Sequence, residues 1–244
     1  LLDMEEQAGY HTTGRSAAFY AETYGGPKLQ PLTTASKEFL TSPPDGFTDA
    51  PLMNKLGAIH VFKESQRAQA EAVFEEMREA LPGVRMLTEA QVRDRAPHLK
   101  PGVFVGGIDD PDCGDLDVAA LHQAYLRAAK KQGAEVFLGA GMEAAAHDGT
   151  FWHVKTRTGQ VKARVLVNCA GAWADDIAKR AGVTPLGLKP LRRTIITVPK
   201  HDDVPFDRFG PVIIDVDEAF YFKPEGNGYL ISPADESESQ PCDA

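Results

Sequence analysis

The stretch Gly9-Tyr10-His11-Thr12-Thr13-Gly14-Arg15-Ser16-Ala17-Ala18 carries the residue types that hold phosphate. It combines two glycines, three hydroxyls (Thr12, Thr13, Ser16) and one guanidinium (Arg15), then runs into small residues able to begin a helix. Backbone N–H groups at such a glycine-to-helix junction, with hydroxyls beside them, form a site for phosphate oxygens. Ala17 and Ala18 would let a flat ring lie against the backbone. The same residues also fit an ordinary loop in which Ser16 caps a helix. Just upstream, Leu1-Leu2-Asp3 reads as the last residues of a strand. A dinucleotide fold ends its second strand in a carboxylate that bonds a ribose hydroxyl, roughly 20 residues after a glycine-rich turn. Asp3 is placed for that role, yet the sequence holds no preceding strand and no G-x-G-x-x-G turn. The expectation is a piece of such a fold, or another role for Asp3.

A second junction of the same kind lies far along the chain. Val165-Leu166-Val167 reads as a buried strand, Asn168-Cys169-Ala170-Gly171-Ala172 as a small-residue turn, and 173–180 as a helix. Small residues there favour close approach of backbone to a ligand. In a doubly wound sheet both junctions would lie at the carboxyl edge, where ligands bind.

The elements that must position these loops follow from periodicity and punctuation. Residues 28–41 have helical spacing and stop at Ser42-Pro43-Pro44-Asp45-Gly46. Residues 57–62 read as a strand and 65–81 as an amphipathic helix capped by Ser65 and ended by Pro82-Gly83. A short helix over 88–95, a strand over 102–108, a helix over 115–132 and a short strand over 135–138 come next. Residues 151–156 and 161–167 alternate around Thr158-Gly159 as a hairpin. Strands are expected at 194–198, 212–216, 219–223 and 229–232, and loop from 235 onward. The resulting fold class is α/β: a Rossmann-like nucleotide domain (1–45 and 112–187) interrupted by a mostly antiparallel α+β substrate domain (46–111 and 188–244), both incomplete.

Composition bounds the function. A net charge of −9, from 26 basic and 35 acidic residues, argues against a nucleic-acid surface. Cys113, Cys169 and Cys242 lie far apart without C-x-x-C spacing, which excludes a usual zinc motif and makes a reducing, cytoplasmic setting the expectation. His60, His122 and His153 show no ligand spacing and read as packed or surface residues. No apolar run approaches the roughly 18 residues of a membrane span.

Four segments in order, G-Y-H-T-T-G-R-S-A-A, V-L-V-N-C-A-G-A-W-A, L-G-L-K-P-L-R-R-T and D-E-A-F-Y-F-K-P, resemble the FAD-dependent amine oxidoreductases of the D-amino acid oxidase superfamily. The likeness spans nearly the whole chain and is strongest to bacterial D-amino acid dehydrogenases of the D-arginine type. It implies an FAD with Asp3 on a ribose hydroxyl and Met4 beside the adenosine. His11, Thr12, Thr13, Gly14, Arg15, Ser16, Ala17 and Ala18 would wrap the pyrophosphate and the isoalloxazine edge. Met142 would contact the adenine, and Ala170, Gly171 and Trp173 the flavin side of the second turn. For Met142 and Trp173, plain core packing is the equal alternative. Tyr24 and Tyr221 resemble the family's pocket tyrosines, and Arg193 or Arg192 would reach a carboxylate or the flavin.

The implied reaction is oxidation of the Cα–N bond of a D-amino acid or related small amine, with an electron acceptor that the sequence does not name. Two departures bear on the substrate. Phe19 stands where the D-arginine enzymes have a histidine, and Gly57-Ala58-Ile59 lacks their acidic contact to a guanidinium, so a more apolar D-amino acid or a secondary amine fits at least as well. The family also has a further C-terminal section, so a chain of only these residues is expected to be inactive. A truncated, non-catalytic product that keeps the fold is the alternative, and an NAD-dependent dehydrogenase ranks behind both.

Overall fold

A computed structural model describes residues 1–243. In chain order the elements begin with β1 (Phe19–Tyr20), α1 (Gln30–Thr41), β2 (Met53–Lys55), β3 (Ala58–Phe62), α2 (Arg67–Ala80), β4 (Arg85–Thr88) and α3 (Glu89–Arg95). They continue with β5 (Gly106–Asp110), β6 (Gly114–Leu116), α4 (Val118–Lys131), β7 (Met142–His147), β8 (Trp152–Thr156), β9 (Gly159–Ala163) and α5 (Ala174–Arg180). The last strands are β10 (Leu191–Arg192), β11 (Ile196–Pro199), β12 (Val212–Asp215), β13 (Tyr221–Glu225), β14 (Gly228–Ser232) and β15 (Ser237–Glu238). The chain divides into two compact units. One comprises Leu1–Ser16, His122–Arg192 and the stretch from Ser237 onward; the other comprises Ala17–Leu121 and Arg193–Glu236.

The second of these units is built on a seven-stranded sheet in the order β11-β14-β13-β12-β3-β5-β4. Its pairs are antiparallel except β3 with β12. β3 is central because Ala58, Ile59, Val61 and Phe62 are apolar at both parities and buried on both faces. On one face Phe62 and Ile108 meet Ala70 and Met77 of the amphipathic α2 and Leu81 just after its end. On the other, Ile59, Val61 and Ile213 meet Val92 and Ala96. α3 starts at a capping box, with the Thr88 hydroxyl accepting from the Gln91 N–H. A small sheet, β1-β6-β2, brings Phe19 opposite Asp115.

The other unit carries the antiparallel sheet β7-β8-β9, α5 and the ladder β10-β15. Its parallel pairing is one bridge, Leu2 to Phe137, closed by Asp3 N–H to Phe137 O at 2.9 Å and Phe137 N–H to Leu1 O at 3.0 Å. Among the described residues no helix is long and apolar enough to cross a membrane.

Several sequence expectations are corrected. No helix follows the first junction: Ala18 adopts φ +56° and the aromatic pair Phe19–Tyr20 joins β6 as a strand, so the next helix waits until Gln30. Residues 165–167 are neither strand nor buried, Val165 and Val167 each being 72% exposed. An apolar run becomes a buried strand only where neighbours complete its ladder, and no strand pairs with this one among the described residues. Residues 114–116 form β6 rather than the start of a helix, and the Asp117 carboxylate accepts from Ala120 N–H at the head of α4. Residues 135–138 reduce to the bridge at Phe137, 102–108 shifts to Gly106–Asp110, and the expected terminal loop contributes β15. Ser65 lies in a one-turn 3-10 segment before α2; Lys63 N–H bonds the Gln66 side chain there instead.

Candidate cofactor site and substrate-side face

The first loop is a chain of turns. Gly14 N–H donates to His11 O at 3.1 Å, and Gly14 packs so closely that a Cβ there would lie 2.4 Å from the Gly9 carbonyl oxygen. Only glycine fits that approach. Thr12, Thr13 and Ser16 are exposed along it. The Arg15 guanidinium bonds the Asp243 carboxylate at 2.9 Å and lies 4.7 Å from the centre of the Tyr10 ring. The Tyr10 hydroxyl donates to that same carboxylate, and the Arg15 guanidinium first, then this phenol, hold it below its ordinary range.

The His11 ring joins this loop to the second junction. Its centroid is 4.6 Å from the Trp173 ring, tilted by 48°, and Nε2 lies 2.9 Å from Glu5 Oε1. Asn168 shapes the second turn, donating to Ala174 O and accepting from Ala170 N–H. Gly171 has φ +54° and no neighbour within 4 Å of a Cβ position, so open space lies above it. Ala170 and Trp173 are half-buried beside it.

Asp3, Met4 and Met142 are also gathered. Asp3 Oδ1 accepts from Glu5 N–H at 2.9 Å, and Ala140 N–H donates to Asp3 O at 2.7 Å. Met4 packs on Gly141, where a Cβ would lie 3.1 Å from Met4 Cβ. Met142 is 8% exposed and its carbonyl accepts from Arg180 at 2.7 Å. Glu5 therefore links two groups, through its backbone to Gly139 and Asp3 and through its carboxylate to His11. Asp3, Met4, His11, Met142 and Trp173 belong to one continuous network in one unit.

In the other unit, Tyr221 is half-buried and its ring meets Phe19 edge-on at 5.6 Å. Both pack on Ala58, Val212, Ile214 and Cys113. Burial pushes the Cys113 thiol well up, so it is a packed group. Tyr24 is 67% exposed in a turn closed by its N–H to Ala21 O, and does not join the Phe19–Tyr221 contact. Arg193 bonds Glu236 at 2.7 Å. Ala17 and Ala18 are half-buried, and Leu116 N–H donates to Ala18 O at 2.7 Å.

Sequence reasoning missed the charged groups around Tyr221. Lys223 is 2% exposed and donates to Asp115 and, at 2.9 Å, to Glu225. Burial alone would lower this ammonium, but its two carboxylate partners outweigh that and leave it raised. The available signal was strand parity, which puts Lys223 on the face of Tyr221. His60 is a packed residue with its Nε2 enclosed, one of the two settings expected for it, and Asp110 is 1% exposed. Burial pushes His60 down to about 4 and Asp110 up.

These two titrations have opposite signs. His60 is depressed from 6.5, so the unfolded chain binds more protons between pH 6.5 and 4. Its stabilising share is complete above pH 6.5 and is lost as pH falls toward 4. Asp110 is raised, so stability falls as pH climbs above 3.8 through its folded value. In urea titrations between pH 6.5 and 4, His60→Leu should therefore lose less stability on acidification than wild type does.

The chain belongs to the FAD dependent oxidoreductase (DAO) family, which matches residues 1–243. It is similar to human mitochondrial dimethylglycine dehydrogenase, 26% identical over 155 residues, covering 63% of this chain and 18% of that protein. Glycine oxidase of Bacillus subtilis (strain 168) is 26% identical over 128 residues, 52% of this chain and 34% of that one. Among solved structures, glycine oxidase from Geobacillus kaustophilus superposes with a TM-score of 0.78 at 18% identity, over 95% of this chain and 62% of its own. The matched regions thus span a fifth to a third of these curated relatives. The family's cofactor is FAD, and the mixed α/β fold is that of its members.

The residues present fit that cofactor. A close-packed glycine, three exposed hydroxyls and the open space over Gly171 suit phosphate oxygens and a flat ring, and no side chain fills that space. D-Arginine-type specificity is not what these relatives display; their names point to glycine and dimethylglycine.

Proposed function

We propose that this chain forms part of an FAD-dependent amine oxidoreductase acting on the Cα–N bond of a small amine or amino acid, with D-amino acids the first substrates to try. When bound, FAD supplies the hydride acceptor. The substrate loses a hydride from Cα and a proton from nitrogen, giving an imino acid that water converts to a 2-oxo acid and ammonia. The chain's own groups bind and orient. Asp3 would hold a ribose hydroxyl, Met4 and Met142 the adenine, and Thr12, Thr13, Ser16 and the loop N–H groups the pyrophosphate. Gly14 would allow the loop its approach, and Ala170, Gly171 and Trp173 would border the ring. Tyr221 would donate to a substrate carboxylate, with Tyr24 and Arg193 as further candidates.

One observation carries the reading: the His11–Trp173 contact, which brings two glycine-bearing loops, distant in sequence, to one place. Glycine oxidase and dimethylglycine dehydrogenase, both named for amine chemistry, support the substrate class. The natural protein should keep bound yellow flavin through gel filtration and bleach anaerobically with an amine substrate. Cys169, exposed and two residues from Gly171, should react with a thiol reagent roughly 10-fold more slowly once FAD is bound. A colourless protein whose Cys169 reacts at one rate with and without FAD would end the reading.

A further inference from the structure

Three cations gather where Gly141 leads into β7: Lys155, Arg157 and Arg180. Glu143 feels all of them, because Lys155 first, and then Arg157 and Arg180, hold its carboxylate below the usual range. Two of the three are committed elsewhere. Lys155 pairs with Glu143 at 2.9 Å, and Arg180 donates to Met142 O at 2.7 Å. Arg157 is exposed, and among the described residues its guanidinium makes no hydrogen bond and no ion pair.

The backbone that carries Arg157 is fixed from both sides. Met142 stands opposite Thr156 in the β7–β8 register, and Arg157 N–H donates to Gly141 O at 3.1 Å. The turn that follows closes without the arginine side chain. There the Thr156 hydroxyl donates to Gly159 O at 3.0 Å and accepts from Thr158 N–H at 3.3 Å. The side chain lies by Gly141 instead. A Cβ at Gly141 would be 3.5 Å from Arg157 Nε and 3.1 Å from Met4 Cβ, so Arg157 and Met4 converge on one glycine. Asp3 directly precedes Met4 and is tied to the same stretch through Ala140 N–H. Arginine has a specific chemistry in such a place. Its guanidinium is flat, always charged and weakly hydrated, and it stacks on aromatic faces, whereas an ammonium is a hydrated point charge. A purine presents such a face next to the ribose that Asp3 would hold.

We infer that Arg157 is a further binding residue for the cofactor, its guanidinium lying on the purine ring so that the site favours ligands that carry adenine. The inference rests on the proposed placing of the adenosine end at Asp3, Met4 and Met142, and adds to it a residue from the β8–β9 hairpin. Arg157 is far from Asp3 in the chain. The β7–β8 register, rather than sequence proximity, brings it there.

Calorimetric titration of the natural protein, stripped of flavin, with FAD and with ADP tests this on binding alone. Arg157→Ala should weaken both ligands by about 10-fold. Arg157→Lys should lose nearly as much, since lysine keeps the charge and gives up the flat group. Lys155→Ala removes a neighbouring charge and should leave both affinities within about 2-fold of wild type. FAD affinity within about 2-fold of wild type in Arg157→Ala overturns the inference. So does full rescue by Arg157→Lys, an equal loss in Lys155→Ala, or a loss for FAD that ADP does not share. Both side chains are exposed, so the variants should keep the wild-type urea midpoint. Asp3→Ala separates the inference from the placing beneath it. If Asp3→Ala weakens FAD and Arg157→Ala does not, the arginine contact alone fails. If neither weakens it, the placing of adenosine fails and takes the contact with it.

Discussion

Asp115→Ala is expected to cost about 3 kcal/mol in the unit that holds the seven-stranded sheet, whereas Lys223→Met should cost less than about 1 kcal/mol. The asymmetry comes from where the two charges sit. Lys223 is 2% exposed, while the Asp115 side chain is 41% exposed. Removing the carboxylate leaves an ammonium in the core with Glu225 as its remaining partner. Removing the ammonium leaves a carboxylate already half in water, and methionine fills the vacated stem volume. The pair also positions its neighbours, because Asp115 lies opposite Phe19 and Lys223 lies two residues from Tyr221 on the same face. Breaking it from the Asp115 side frees β6 and should loosen the Phe19–Tyr221 contact. Urea unfolding of the two variants measures the difference. Equal losses would mean that the ion pair is incidental to packing.

How legible this was in the sequence depends on the kind of signal. α2 could be read because Ala70, Val73, Phe74 and Met77 recur on one face and pack together. β12 could be read because its apolar content has the right length between turns, while the strand expected at 219–223 shifts to Tyr221–Glu225. The first loop was legible as a loop, since glycine, hydroxyl and guanidinium sit side by side, and the structure joins it to the second through His11. What failed were assignments that depend on partners. Val165-Leu166-Val167 has the composition of a central strand, but composition does not provide the neighbours that bury one. Ala17-Ala18 has helix propensity, but the pairing of Phe19 and Tyr20 with β6 overrides it. That Asp110 lies beside His60 escaped for the same reason. Fifty residues separate them in the chain, and only the β3–β5 register makes them neighbours.

Gly14→Val should weaken FAD binding by about 100-fold, close to 3 kcal/mol. A Cβ at this position would sit 2.4 Å from the Gly9 carbonyl oxygen, which is backbone and can yield only if the turn opens. Opening it breaks the Gly14 N–H to His11 O bond and moves the ring that meets Trp173. Two to three N–H or hydroxyl contacts to phosphate would be lost together, each worth about 1–1.5 kcal/mol. The loss should be selective. Gly9, His11 and Gly14 lie in the unit that ends at Ser16, so the urea midpoint of the seven-stranded sheet's unit should stay at its wild-type value. Serine at the same position carries the same Cβ together with a hydroxyl. If the clash is the cause, Gly14→Ser fails as Gly14→Val does, despite its added donor. Flavin titrations followed by fluorescence quenching decide this, and a serine variant that binds as tightly as wild type would remove the cradle from the proposal.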